Sequence, residues 1–390
     1  MDCGWLLISL LIGWVGVSFI ASHETVDENG YIVFCPCMGR FGNQVDHYLG
    51  ALAFAHGLNR TLVLPPWVEY RPGEAKSVQI PFDTYFKEAE VARYHRVILM
   101  ADFMEQIAPQ IWPEHLRTSL CYSHRPGSAP NSCNAKDGNP FGPFWDTFQI
   151  EFASSATYGP LHYDVHHTDI AQEWHQRFSA TEWPVIAFTG APAAFPVQKE
   201  NVPLQKYLVW SDQIQARARA FINEHLSGGP FIGIHLRNGV DWARACEFVK
   251  SAPNLFASAQ CLGYRNERGS LTEEMCQPSE EIIVKHLRRL LKRMKDVKKV
   301  FVASDHDHMT RTLGKYFQKT DLIFIKPNED QPHVDLAILG RANHFVGNCV
   351  SSFSGFVKRE RDTHGFPSTF WGYPSESKRE SRRSHDPSEL

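Results

Sequence analysis

The stretch Phe231-Ile-Gly-Ile-His-Leu-Arg-Asn-Gly-Val-Asp-Trp242 indicates an α/β fold, because a short apolar run ends in a cluster of polar side chains. Its first half, 231–236, follows two glycines and a proline and is typical of a buried strand. His235, Arg237 and Asp241 lie at or just beyond the carboxyl end of that strand. Open α/β sheets bind their ligands at this end, because the loops diverge there and leave a crevice.

The arginine in this stretch suits a phosphate group. A guanidinium is planar, always charged and able to donate to two oxygens at once. The alternative is an ion pair between Arg237 and Asp241 that orders the loop and binds nothing else. Both interpretations fit this stretch taken alone.

Both ends of the chain alternate strands and helices in the manner of a doubly wound parallel sheet. Near the amino end, strands at 31–34 and 61–64 flank a helix whose apolar residues recur at helical spacing. Towards the carboxyl end the pattern predicts strands at 231–236, 300–303, 322–325 and 344–346, and helices at 211–226, 279–294, 309–317, 334–339 and 351–361. We therefore expect two Rossmann-like domains that face each other across a cleft.

The middle of the chain, 69–207, is rich in proline and aromatic residues, and its only predicted strands are 97–99 and 185–188. The segment Asn139–Trp145 has two prolines and one glycine, which predicts a packed loop and not a helix. The predicted domains are 23–228 and 229–373, followed by a polar, disordered tail at 374–390.

The composition argues against nucleic-acid binding and for export. The 390 residues carry a net charge of −3, so no basic excess exists to neutralise a polynucleotide. The apolar run 5–20 predicts a secretory signal peptide at 1–22, with no membrane span after its cleavage, and an uncleaved anchor is the alternative. Cleavage removes one of nine cysteines and leaves an even number, as an oxidised framework needs. Asn59-Arg60-Thr61 is an N-glycosylation sequon.

A glycine-containing loop, 39–44, connects the first predicted strand to the first helix. Glycines permit a tight turn and a close approach to a ligand, and the helix N-terminus attracts an anion. The loop matches neither the dinucleotide fingerprint nor the Walker loop. Its alternative is a plain strand-to-helix turn. We expect Arg40 and Asn43 to face the cleft.

A second loop of this kind, 349–353, follows the predicted strand that ends at Val346. Ser351 or Ser352 either caps the last helix or helps to hold a phosphate at its start. Asp335, just after the turn at 329–332, is a further candidate.

Asp305-His306-Asp307 has the Asp-x-Asp pattern of many metal sites, although two carboxylates before a helix also complement its dipole. The sequence has no His-Glu-x-x-His, no second cysteine pair at zinc spacing and no Gly-x-Ser-x-Gly. These absences exclude the usual zinc sites and a serine hydrolase.

These motifs, with Asn139–Trp145, 347–353 and 357–362, closely resemble the GDP-fucose protein O-fucosyltransferases that modify EGF-like repeats. The resemblance extends from Tyr31 to about Gly372. It implies a GT-B fold and an inverting transfer of fucose from GDP-fucose to a Ser or Thr hydroxyl of a folded EGF-like repeat, as in Notch-type receptors. It also implies that neither a metal nor another cofactor is required, and that the protein resides in the endoplasmic reticulum lumen. The terminal residues 385–390 depart from the Lys-Asp-Glu-Leu type of retention signal.

Carried over residue by residue, the resemblance implies catalytic roles for Arg237 and Asn43. The implied donor-binding residues are Arg40, Phe41, Gly42, Asn43, His235, Leu236, Arg237, Asp241, Asp335, Ser351, Ser352 and Phe353. The implied disulfides are Cys35–Cys37, Cys121–Cys133, Cys246–Cys276 and Cys261–Cys349, the last two being one of three possible connectivities. Two other functions are considered: a luminal chaperone or binding module for EGF-like repeats, and O-fucosylation of thrombospondin-type repeats.

Overall fold

The computed structural model describes residues 25–124, 131–252 and 254–373. The predicted signal peptide and the predicted polar tail lie outside these residues. Two parallel sheets form the two halves of the described chain, in agreement with the predicted α/β class.

The first half is built on a six-stranded parallel sheet in the order β5-β2-β1-β8-β6-β7. Its strands, with the separate antiparallel pair β3 and β4, are β1 (Tyr31–Phe34), β2 (Thr61–Leu64), β3 (Trp67–Glu69), β4 (Val78–Ile80), β5 (Val97–Leu99), β6 (Thr118–Cys121), β7 (Ser154–Thr157) and β8 (Val185–Phe188). The α-helices before residue 228 are α1 (Phe41–Gly57), α2 (Glu88–Ala92), α3 (Met100–Asp102), α4 (Ala108–Ile111), α5 (Phe141–Thr147), α6 (Thr168–Arg177) and α7 (Asp212–Phe221). Segments of 3-10 or π-helix occupy Phe82–Thr84, Phe103–Ile107, Glu114–Leu116, Lys199–Tyr207 and Ile222–Leu226.

The predicted strands β1, β2, β5 and β8 are confirmed, but the middle of the chain is more regular than predicted. Strands β6 and β7 were missed because they contain serine and threonine instead of an apolar run. The loop prediction for Asn139–Trp145 is wrong, since α5 begins at Phe141. Pro143 is tolerated because it is the third residue of the helix, where a backbone N–H has no acceptor within the helix.

The second half has a five-stranded parallel sheet in the order β11-β10-β9-β12-β13. Its strands are β9 (Phe231–Leu236), β10 (Lys299–Ser304), β11 (Ile323–Ile325), β12 (His344–Gly347) and β13 (Ser368–Phe370). Its helices are α8 (Val240–Cys246), α9 (Ala259–Leu262), α10 (Glu273–Cys276), α11 (Glu280–Arg293), α12 (Thr310–Tyr316), α13 (Pro332–Gly340) and α14 (Ser352–Thr363), with a 3-10 turn at Glu247–Lys250. All predicted strands and helices of this half are confirmed, whereas β13 and α8 to α10 were not predicted.

The strand order places the ligand-binding crevice of the second half between β9 and β12. Successive strands extend from β9 through β10 to β11, and the chain then crosses back to β12 on the other side of β9. Such a reversal opens a crevice at the carboxyl ends of the strands. The loop after β9 and the start of α14 both lie at this crevice.

One apolar core spans both halves, because it contains Phe34 and Phe54 from the first and Phe301 and Phe356 from the second. Helix α7 precedes the predicted boundary at 228, yet its Phe221 ring lies 5.4 Å from that of Phe301. The boundary itself stays a prediction.

Four disulfides have the pairing that the resemblance implies: Cys35–Cys37, Cys121–Cys133, Cys246–Cys276 and Cys261–Cys349. Within the described ranges, no helix combines the length and the apolar character needed to cross a bilayer.

Candidate active site

The amino ends of α1 and α14 meet at the centre of the candidate site. The Ser352 hydroxyl donates to the Asn43 Oδ1 at 2.7 Å, although 309 residues separate them in sequence. Gly42 permits this approach, because a Cβ at that position would lie 2.6 Å from the Ser352 Oγ. The predicted loops 39–44 and 349–353 are therefore in direct contact.

Neither helix start is capped by a side chain. Arg40 and Ser351 occupy the N-cap positions, and neither side chain accepts a hydrogen bond from its helix. The Ser352 hydroxyl goes to Asn43, so the alternative that these serines serve as caps is wrong. Two helix dipoles thus present their positive ends at one place, where they favour a negatively charged ligand.

His235, at the end of β9, is buried beside the start of α14. Its Nδ1 lies 2.7 Å from the Ser354 Oγ, and its ring lies 4.5 Å from that of Phe353. Burial, helped by the charge of Arg237, lowers the His235 pKa to about 3, so the imidazole is neutral at physiological pH. The adjacent Leu236 packs its side chain into the core and can offer only its backbone to a ligand.

Arg237 leaves the same strand and contacts two carboxylates and one aromatic ring. Its Nη2 lies 2.7 Å from the Asp241 Oδ2, its Nη1 pairs with Asp305, and its guanidinium lies 4.7 Å from the Trp242 ring centroid. The predicted ion pair with Asp241 is therefore present, and the hydrogen bond from Arg237 lowers the Asp241 pKa. The Arg237 side chain is 19% exposed, which leaves it accessible to a ligand.

Asp335 lies in the first turn of α13 and is 7% exposed. Among the described residues its Oδ1 has no hydrogen-bond partner. Burial, with a smaller contribution from Asp330, raises its pKa to about 8. Two residues earlier, the His333 ring lies 4.5 Å from that of Phe41, so the helix that carries Asp335 adjoins the start of α1.

The comparisons with known proteins agree with this geometry. Residues 31–364 match the GDP-fucose protein O-fucosyltransferase family. The chain is 43% identical over 380 residues to GDP-fucose protein O-fucosyltransferase 1 of Caenorhabditis elegans, a match that covers 94% of this chain and 96% of that one. This chain belongs to the GDP-fucose protein O-fucosyltransferase family.

Solved structures of POFUT1 resemble this fucosyltransferase over nearly their whole length. The complex with GDP-fucose has a TM-score of 0.86 and 43% identity, covering 90% of this chain and 100% of that one. The complex with GDP has a TM-score of 0.84 at the same identity, covering 89% and 99%. The fold is GT-B-like, and the enzyme transfers fucose from GDP-fucose to protein.

The contact between Asp305 and Arg237 in this fucosyltransferase was not predicted from the sequence. The Asp-x-Asp pattern of Asp305 and Asp307 is consistent with a metal site or with charges at a helix start. In the structure Asp305 accepts backbone N–H groups of the loop after β9, and Asp307 accepts the Met309 N–H at 2.8 Å. In the sequence, Asp305 is recognisable only as a residue that follows a predicted strand. The sequence does not show that this strand lies beside the one that ends before Arg237.

His333 and Tyr85 were also missed, and they join the two halves beside Phe41. Their rings stack with centroids 3.6 Å apart. Burial lowers the His333 pKa to about 3, so the stack is uncharged. No local motif marks these two residues.

One group with metal-ligand chemistry occurs among the described residues, at Cys121, His124 and Cys133. The two cysteines form a disulfide and offer no thiolate. This group therefore does not fit a metal ion.

Proposed function

We propose that this enzyme carries out an inverting, metal-independent transfer of fucose from GDP-fucose to a Ser or Thr hydroxyl of folded EGF-like repeats. In this proposal Arg237 stabilises the departing β-phosphate. The observation that carries it is the position of Arg237 at the carboxyl end of β9, in the same crevice as the uncapped start of α14. The resemblance to enzymes that modify EGF-like repeats supplies the acceptor.

Charge development explains why a cation is needed in this crevice. As the bond between the anomeric carbon and the β-phosphate oxygen breaks, both electrons leave with GDP and positive charge grows on the sugar. Stabilisation must therefore act on the leaving phosphate. Arg237 supplies a full positive charge, and the starts of α1 and α14 supply backbone dipoles.

The donor would be held by residues from both halves. We assign nucleotide and sugar binding to Arg40, Phe41, Gly42, Asn43, His235, Leu236, Arg237, Asp241, Asp335, Ser351, Ser352 and Phe353. Asn43 would orient the sugar or the acceptor hydroxyl with its amide, while Ser352 fixes that amide through its 2.7 Å hydrogen bond.

His235 is too weak a base to take the proton of the acceptor hydroxyl. A group with a pKa of about 3 accepts protons poorly at neutral pH. We therefore propose that breakage of the donor bond leads the reaction. The hydroxyl oxygen then attacks the face of the sugar opposite GDP, becomes acidic as its new bond forms, and releases its proton to water.

Exposed apolar side chains next to Arg237 suit a protein acceptor. Val240 is 71% exposed and begins α8, directly after the Arg237 loop. Phe256 is 42% exposed, and its ring stacks on that of Trp242 with centroids 5.7 Å apart. A folded repeat can bury such groups, whereas a small polar acceptor gains little from them.

The test is transfer of label from GDP-fucose to purified, folded acceptors offered in parallel. We expect incorporation into an EGF-like repeat and little into a thrombospondin-type repeat, with no loss of rate in excess EDTA. Label on the thrombospondin-type repeat alone would favour the related acceptor class. Absence of label on both, with tight binding of the EGF-like repeat, would favour a chaperone. A loss of rate in EDTA that added Mg²⁺ or Mn²⁺ restores would overturn metal independence.

We also propose that the enzyme resides in the endoplasmic reticulum lumen and is glycosylated at Asn59. Four disulfides fit an oxidising compartment. Asn59 is exposed, with a φ of 53°, which places it at a turn. Endoglycosidase H should shift the mobility of the wild-type protein and leave Asn59→Gln unchanged. Insensitivity to both endoglycosidase H and peptide N-glycosidase F would contradict glycosylation at Asn59, and sensitivity to the latter alone would contradict residence in the endoplasmic reticulum.

A further inference from the structure

We propose that Asp305 is a positioning residue for the transfer reaction and that Gly239 provides the space it requires. Asp305 would hold the Arg237 guanidinium where the β-phosphate of the donor arrives. This inference rests on the role proposed for Arg237. The interpretations of Asp305 drawn from sequence, a metal ligand or a charge at a helix start, do not include this one.

The register of the sheet brings Asp305 to Arg237. Strands β9 and β10 are parallel neighbours, with Ser304 opposite Leu236. Arg237 follows the end of β9 and Asp305 follows the end of β10, so the two residues lie side by side at the same edge of the sheet. Their opposite charges meet at the carboxyl edge, where the donor phosphates are expected.

The Asp305 carboxylate is fixed by the backbone of the Arg237 loop. Its Oδ1 accepts the Asn238 N–H at 2.9 Å, and its Oδ2 accepts the Gly239 N–H at 3.2 Å. The same Oδ2 pairs with the Arg237 Nη1. A carboxylate with two backbone donors has little freedom to move, so it fixes the guanidinium in turn.

Asn238 ties this loop to the residues that follow β10. Its Oδ1 accepts the Ser304 hydroxyl at 2.9 Å and the Asp307 N–H at 3.2 Å. Its Nδ2 donates to the Asp307 carbonyl at 2.7 Å. The two loops therefore form one unit, and Asp305 lies inside it.

Gly239 is required by space and not by backbone conformation. Its φ of −64° is open to any residue. A Cβ there would lie 2.4 Å from the Asp305 Oδ2, 2.7 Å from the Asp241 Oδ1 and 3.1 Å from the Arg237 Nη1. An alanine would consequently displace these side-chain ends while leaving the backbone able to fold.

The second carboxylate on Arg237 differs from Asp305 in its surroundings. The Asp241 side chain is 71% exposed, whereas that of Asp305 is 29% exposed. Water competes strongly for an exposed carboxylate, so its contact is the weaker one. A phosphate that approaches Arg237 displaces Asp241, and Asp305 keeps the guanidinium in place.

The test compares the affinities of the full-length enzyme for GDP and GMP, because only GDP carries the β-phosphate. We expect Asp305→Asn and Gly239→Ala each to weaken GDP binding about tenfold, and to change GMP binding less than about twofold. Arg237→Ala should show the same preference for weakening GDP. The double variant Arg237→Ala with Asp305→Asn should be no weaker than Arg237→Ala, since Asp305 acts through Arg237. Gly314→Ala, at a glycine with open space for a Cβ, is the matched control.

The possible outcomes separate the two proposals. If Arg237→Ala weakens GDP and GMP equally, the role proposed for Arg237 fails and the role of Asp305 fails with it. If Arg237→Ala is selective for GDP but Asp305→Asn is not, only the role of Asp305 is overturned. If the losses of GDP affinity in the two single variants add up in the double variant, the role of Asp305 is likewise overturned. Gly239→Ala keeps Asp305 itself, so normal GDP affinity in that variant would overturn the inference even if Asp305→Asn did not fold.

Discussion

Arg359 and Arg237 each pair with an aspartate, but the two ion pairs lie in opposite surroundings. The Arg359 Nη2 lies 2.7 Å from the Asp46 Oδ1, with side chains only 2% and 0% exposed. The Arg237 Nη2 lies at the same distance from Asp241, whose side chain is 71% exposed. A buried pair is strongly destabilising to break, while an exposed pair contributes little to stability. The two ion pairs have the same length, but their difference in burial indicates different roles. Arg359 stabilises the molecule, and Arg237 is available to a ligand.

The buried pair also determines where the exposed site forms. Asp46 follows Asn43 by three residues on α1, and Arg359 follows Ser352 by seven on α14. Each spacing places its two residues on one face of a helix. The ion pair thus fixes the register in which Asn43 meets Ser352. The buried ion pair and the Asn43–Ser352 contact of the candidate site share the same pair of helices.

The largest expected effect is on stability, from Arg359→Met. This change leaves the Asp46 carboxylate buried without its cation and should cost about 3 to 5 kcal/mol of unfolding free energy. Chemical denaturation measures it. Arg244→Ala, an exposed arginine on α8, is the control and should change stability by less than about 0.5 kcal/mol. A loss below about 1 kcal/mol for Arg359→Met would remove the contrast between the two pairs.

The next effect is on turnover, from Arg237→Ala. Loss of the cation at the leaving phosphate should lower kcat by about 10² to 10³, or roughly 3 to 4 kcal/mol of barrier. Its unfolding free energy should change less than that of Arg359→Met, because its partners Asp241 and Asp305 are 71% and 29% exposed, whereas Asp46 is 0% exposed. Arg244→Ala again serves as the control. Near-normal turnover in a folded Arg237→Ala enzyme would refute its role.

A third carboxylate, Asp335, is buried and has no ion pair among the described residues, so its effect should depend on pH. Its pKa of about 8 keeps it protonated in the unliganded enzyme at neutral pH. If it binds the donor as a carboxylate, it must lose that proton, so GDP affinity should fall by up to about tenfold for each pH unit below 8. Calorimetry between pH 6 and 9 measures this. The ionisation of GDP itself affects the wild-type enzyme and Asp335→Asn equally. Identical pH profiles for these two proteins would therefore show that Asp335 does not ionise on binding.

The smallest effect is expected from Asp241→Asn. Its exposed contact with Arg237 should contribute less than about 1 kcal/mol to stability. Thermal unfolding at low and high salt measures this, and the difference from wild type should shrink as salt screens the charges. A loss as large as that of Arg359→Met would mean that exposure does not distinguish the two pairs.

The fold could be predicted where burial leaves a pattern in the sequence. Strands β1, β2, β8 and β9 are buried along their whole length, so they are mainly apolar. The partly exposed strand β7, Ser154–Thr157, has no such run and was missed. Helix α5 was missed because Pro140 at its N-cap and Pro143 within it outweigh its two buried aromatic residues in any local pattern.

The site could be predicted only in part, because its contacts are not local. The loops 39–44 and 349–353 were identified as ligand-binding candidates, and the family resemblance supplied a residue list. That Asn43 touches Ser352 depends on the packing of α1 against α14. That Asp305 touches Arg237 depends on β10 lying beside β9. Neither contact can be predicted from the spacing of residues along the chain.

The contact between α1 and α14 has a consequence for how the protein is made. A ribosome adding about 5 to 20 residues per second takes roughly 15 to 60 s to pass from Asn43 to Ser352, 309 residues later. During that interval α1 lacks Ser352, the partner of its Asn43 side chain, and Arg359, the partner of its Asp46 side chain. The proposed donor site is therefore completed only by one of the last segments synthesised, and a chain that stops before residue 352 lacks the contact between Asn43 and Ser352.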